Sequence, residues 1–200
     1  MKQIAMFVSL VLLAGPAGMA QDNAAAQSTA AEATAEATDD APQTPPLEEL
    51  DWMVGQWVDQ GEDSTITTTC SWALDRKFLK RSFSVEIEGQ LSLEGTQFIG
   101  WDPIDEQIRS WTFDSEGGVG QGRWIQDGNR WLVKMSFVLA TGERASAVNV
   151  ITYVDQDTLR WQSISREVAG ELLPSIPEVT VVRQTADEAK SEQGEKEVSQ

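Results

Sequence analysis

The sequence predicts an all-β fold, an antiparallel up-and-down β-barrel of about ten strands behind a short N-terminal helix. Three observations carry that expectation. Apolar and polar residues alternate with period two, turn-forming residues recur at nearly even spacing, and no stretch is long enough for a crossover helix.

The alternation is plain between Leu79 and Ile87, where Leu79, Phe83, Val85 and Ile87 are separated by Lys80, Ser82, Ser84 and Glu86. Trp131, Val133, Met135, Phe137 and Leu139 repeat it, opposed by Arg130, Lys134 and Ser136. Ile66, Cys70, Trp72 and Leu74 share a third face, with Thr65, Thr67, Thr69 and Ser71 opposite. Such runs suit a pleated strand with one side in a core. Between runs stand Asp75-Arg76, Glu88-Gly89, Asp102-Pro103, Glu116-Gly117-Gly118, Asp127-Gly128-Asn129, Thr141-Gly142 and Asp155-Gln156-Asp157. Each is short enough to join antiparallel neighbours. A last strand, 178–183, follows a loop holding Pro174 and Pro177. Ahead of the strands, Leu47, Leu50 and Met53 recur at helical spacing, which predicts a helix over 46–54 ended by Gly55. A meander of this length must hide its edge strands. Closure into a barrel does so most simply, with a two-sheet sandwich as the alternative.

The chain divides into four parts. Residues 1–20 carry Lys2, the apolar run Ile4–Leu13 and the small residues Gly18 and Ala20 around Met19, the layout of a secretory signal peptide. That run falls short of the ~20 residues a membrane-spanning helix needs. No stable membrane insertion is expected after cleavage, and the address is periplasmic or extracellular. Residues 21–46 form an Ala- and Thr-rich spacer with Asp22, Glu32, Glu36, Asp39 and Asp40 and no base; such composition predicts disorder. Residues 47–183 are the folded domain, and residues 184–200 a second disordered, acidic tail.

The formal net charge is −17, and the domain itself holds 22 acids against 12 bases. That balance disfavours nucleic acid and anionic lipid as partners. Cys70 is the only cysteine, so no internal disulfide supports the fold. The core must do so. All eight tryptophans lie between Leu47 and Arg183, and burying one removes roughly 200 Å² from water, ~5 kcal/mol gross.

Leu47-x-x-Leu50-x-x-Met53-Val54-Gly55-x-Trp57 resembles the opening of lipocalin-like barrels, in which a short helix plugs one end and Gly-x-Trp begins the first strand. Together with Gly100-Trp101-Asp102-Pro103, the stretch Trp111 to Gly118 and a last strand ending in Arg183, it resembles a bacterial family of uncharacterised lipocalin-like domains. That family is distantly similar to nitrobindins and fatty-acid-binding proteins. The resemblance spans most of 47–183. It implies a structural pairing of Trp57 with Arg183, or else with Arg166. Nitrobindin-like barrels hold haem through histidine, and this chain has no histidine, so haem by that route is excluded.

The same absence removes Ser-His-Asp triads, Cys-His pairs and His metal sites. Cys70, on an apolar face, reads as an inert buried thiol. The glycines of 117–122 precede no helix that would aim N–H groups at phosphate, so they read as a turn and strand kink. Acid pairs in turns, such as Asp102 with Asp105 or Asp155 with Asp157, match no EF-hand spacing. No metal and no cofactor are expected.

Two arginines break apolar faces. Arg81 lies between Leu79 and Phe83, and Arg109 shares a face with Trp111 and Phe113. Pointed inward, they would meet Trp131, Tyr153 or Trp161 and hold a small apolar or weakly acidic molecule by its head group. At the rim, they would bridge structural acids instead. A ligand-binding barrel is the expectation. The alternatives are an isomerase or lyase acting on a polyketide-like small molecule, and a cell-envelope interaction module with a filled lumen.

Overall fold

Strands form where the alternation runs and stop where the turn residues stand. The computed structural model describes residues 46–61 and 64–185. The expected signal peptide, the expected spacer up to Pro45 and the expected tail beyond Thr185 lie outside the described residues. After a 3₁₀ helix, Pro46–Met53, come β1 (Gly55–Gln60), β2 (Ser64–Ala73), β3 (Phe78–Ile87), β4 (Gln90–Asp102), β5 (Gln107–Asp114) and β6 (Val119–Asp127). They are followed by β7 (Arg130–Val138), β8 (Arg144–Asp155), β9 (Thr158–Val168), β10 (Glu171–Leu173) and β11 (Ile176–Arg183).

From β1 to β9 each strand pairs antiparallel with the next in sequence, then β9 pairs with β11 and β11 with β1. Ten strands therefore close a barrel, and closure leaves no edge among them. β10 stands outside the circuit, paired only with the end of β9. The sandwich alternative is set aside.

Three details differ from the sequence reading. The N-terminal element is 3₁₀ rather than α, because its buried residues Leu47, Leu50 and Met53 fall three apart and eclipse at three residues per turn. β10 is too short to show an alternation. β11 begins at Ile176, so Pro177 lies within a strand; it sits where the register with β9 shifts, a place that tolerates a missing N–H.

The register sorts residues between lumen and exterior. One inner row runs Cys70, Arg81, Gln97, Thr112, Gly120, Phe137 and Ala145 across β2 to β8. The next runs Trp72, Leu79, Ile99, Ser110, Gly122 and Met135. Trp57, Trp124, Trp131 and Trp161 are buried in the resulting core beside Leu50, Leu79 and Ile99. At the end away from the 3₁₀ helix, inner glycines admit aromatic rings. Phe83 lies over Gly95 and Phe137 over Gly120, so close that a methyl group at either glycine would overlap the ring. The two rings take up lumen space at that end.

Candidate functional site

The near half of the lumen, beneath the 3₁₀ helix, keeps a cavity of about 30 Å³. Trp52 and Met53 of the helix form its roof. Its walls are Trp57 of β1, Thr68 and Cys70 of β2, Arg81 of β3, Ile151 of β8, Leu159 and Trp161 of β9, and Val181 of β11. Three indoles, a thioether, a thiol and aliphatic groups thus surround one guanidinium and one hydroxyl. A space of this size admits water. Pockets for drug-sized ligands run ~300–1,000 Å³, so a larger occupant requires the roof to move.

Arg81 reaches this wall because the β3 alternation turns it inward with Leu79, Phe83 and Val85. Its Nη1 donates to Gln97 Oε1 at 3.3 Å, and Gln97 Nε2 donates to Thr112 Oγ1 at 3.0 Å and Ser110 Oγ at 3.3 Å. Trp124 Nε1 also donates to Ser110 Oγ, at 3.1 Å. Gln97, Ser110 and Thr112 are all buried. The ladder fixes the Gln97 amide with its oxygen toward the cation, and buried polar groups satisfied in this way specify one arrangement of the core. Burial holds Arg81 below the ordinary guanidinium range, with the neighbouring Cys70 acting the other way. It still carries its charge at neutral pH. Burial pushes the Cys70 thiol up to about 11, only partly offset by Arg81, so the thiol is protonated and unreactive.

The structure gathers only part of the sequence-derived set. Arg81 and Trp161 meet at the cavity. Trp131 is buried in the core, its ring 6.1 Å from that of Trp124, and does not line the cavity. Tyr153 sits at the roof end, 5.7 Å from the Trp52 ring. Arg109 and Trp111 correct the expectation that their face enters the barrel. In β5 the buried residues are Ile108, Ser110 and Thr112, so Arg109, Trp111 and Phe113 face outward. Arg109 Nη1 lies 3.0 Å from Asp102 Oδ2 and 3.7 Å from Asp105 Oδ2, and Nη2 donates to Gln121 Oε1 at 2.9 Å. Arg109 therefore bridges turn acids. Its hydrogen bond, followed by that from the Ile104 backbone N–H, holds the Asp102 carboxyl below the usual carboxylate range.

At the roof, Arg183 donates from Nη1 to Val54 O at 2.6 Å, from Nη2 to Trp52 O at 3.0 Å and from Nε to Gln156 O at 2.7 Å. Its guanidinium also covers Trp57. Arg166 instead donates to Pro174 O, at 2.9 Å. The chain matches no model of a known protein family and no curated protein.

Sequence reasoning missed Gln97, Trp52 and Met53. Gln97 gave the same signal as Arg81, a polar residue between Leu93 and Ile99 on an apolar face. The roof residues gave none, because lumen contact depends on where the 3₁₀ helix docks. Asp59 was also missed. It is a buried carboxyl on β1, pushed up by burial, in register with Ile66 and away from the cavity lining.

Proposed function

We propose that this chain is an exported barrel of lipocalin-like type that binds a small apolar or weakly acidic molecule in its lumen, in the periplasm or outside the cell. One observation carries the reading: the cavity beneath the 3₁₀ helix is walled by Trp57, Trp161 and the Arg81 guanidinium. The planar guanidinium matches an anionic head group, and the rings offer cover for an apolar body. The closed ten-strand circuit and the Trp57–Arg183 contact support the lipocalin-like assignment.

Native mass spectrometry of the purified protein and tryptophan fluorescence titrations with fatty acids and aromatic acids test the proposal. A co-purified small molecule, or a saturable change in emission lost on Arg81→Met, is expected. An empty protein whose emission no compound moves would refute it.

A second reading, an interaction module of the cell envelope, draws on the exterior. Phe113, Val119 and Val138 stand opposite one another on β5, β6 and β7 and are 49%, 47% and 48% exposed. A triple exchange to Ser, Thr and Thr that abolished retention by envelope fractions would favour it. The isomerase or lyase alternative gains nothing comparable, since the buried Asp59 does not line the cavity.

A further inference from the structure

The shape of the cavity restricts what the lumen takes, given the lumen-binding reading above. Its lining includes two successive inward residues on β2, Thr68 and Cys70, and two on β9, Leu159 and Trp161. Successive inward residues are ~6.8 Å apart along a strand, so the cavity is about one such step deep. Side chains crowd the lumen around this space, in the row of Arg81 and in the rows on either side of it. Phe137 occupies the space left by Gly120, Phe83 that left by Gly95, and Met135 Sδ would stand 2.7 Å from a Cβ at Gly122. A longer chain entering from the roof would have to expel those side chains from positions that glycines were needed to create.

We propose that the occupant is a short aromatic monocarboxylate, one planar ring with its carboxylate at Arg81 and its ring against Trp57 and Trp161, and not a long-chain fatty acid. The lining selects the ring. Aromatic side chains gain from offset or edge contacts with another ring beyond the area they bury, and the roof adds the Met53 sulfur, which favours ring edges. Arg81 selects the acid, because its planar fork matches a carboxylate. Gln97, fixed by Ser110 and Thr112, holds the guanidinium in the cavity wall, where a carboxylate would meet it. A ring needs more room than the 30 Å³ present, and the roof is where it is gained, because Trp52 and Met53 are the lining residues not held in a strand.

The test uses the full chain, calorimetry and four probes: phenylacetate, toluene, palmitate and the dye 8-anilinonaphthalene-1-sulfonate. Phenylacetate is expected to bind saturably and at least tenfold more tightly than toluene, with no heat from palmitate. In Arg81→Met, checked for folding by its thermal melt, the preference for phenylacetate over toluene should disappear. The comparison of probes on the unaltered chain stands even where that variant does not fold. Toluene binding as tightly as phenylacetate would overturn the role of Arg81. Palmitate or the dye binding in place of phenylacetate, with displacement by one another, would overturn the size limit while leaving the lumen-binding reading intact. Silence from all four probes would remove both.

Discussion

The guanidinium carbon of Arg183 lies 4.1 Å from the centroid of the Trp57 ring, and the Trp57 Nε1 donates to Met53 O at 2.9 Å. The last strand and the first are thereby tied to each other and to the 3₁₀ helix that roofs the lumen. Arg183 supplies the helix with the donors it lacks at its C-terminal end, through the carbonyls of Trp52 and Val54. Asp51 secures the outer side, accepting from Trp72 Nε1 at 2.7 Å and Arg76 Nη2 at 3.0 Å.

Removal of this tie is expected to loosen the whole barrel end. Arg183→Met deletes three charge-assisted hydrogen bonds and a cation–π contact worth ~0.5–2 kcal/mol. We expect a loss of roughly 3 kcal/mol in urea denaturation, less than the simple total because the bonds act on one unit. A loss under about 0.5 kcal/mol would mean that β11 and the roof are held by packing alone.

Inner glycines should resist substitution in proportion to the ring that faces them. Gly120→Ala places a methyl group against Phe137 and is expected to cost ~1–3 kcal/mol by overpacking. Phe137→Leu in the same chain should restore part of that loss, with a coupling energy above ~0.5 kcal/mol. Strict additivity of the two changes in thermal melts would show that the ring moves aside freely.

Cys70 should escape alkylation by iodoacetamide in the native state and react only on unfolding. With its thiol pushed up to about 11 from an ordinary 9.0, the native state keeps a proton that the unfolded state loses between those values. Stability is therefore expected to fall as pH rises from about 9 to about 11, by ~2–3 kcal/mol from this group. Cys70→Ala, measured across the same range, should flatten that fall; an unchanged slope would contradict the assignment.

Asp59 works in the same sense at lower pH. Burial raises its carboxyl from 3.8, so its share of stability is intact below about 4 and is lost as pH rises through the raised value. Asp59→Asn should therefore leave stability nearly unchanged at the acid end and increase it at pH 7. Parallel urea midpoints for the two proteins at every pH would rule this out.

The strands were legible because their signal is local. Alternation with period two, as from Leu79 to Ile87, is written into neighbouring residues. So is the Glu88-Gly89 turn, where φ values of 53° and 74° give the two left-handed residues a tight hairpin favours. The face on which Arg81 breaks an apolar row was equally visible. Arg109 looked the same in sequence, because Trp111 and Phe113 make an apolar row on the exterior that alternation cannot tell from the interior one.

By itself, then, the sequence determined that this chain makes antiparallel strands, where most of them turn, and that no histidine-dependent chemistry is available. Only the tertiary structure decided which face of each strand became the lumen, that ten strands close while β10 stays outside, and that Arg81 rather than Arg109 joins Trp57 and Trp161 at a cavity. The physical reason is range. A strand's periodicity comes from residues two apart, whereas inward and outward are defined only when β9 and β11 return to close the ring beside β8 and β1.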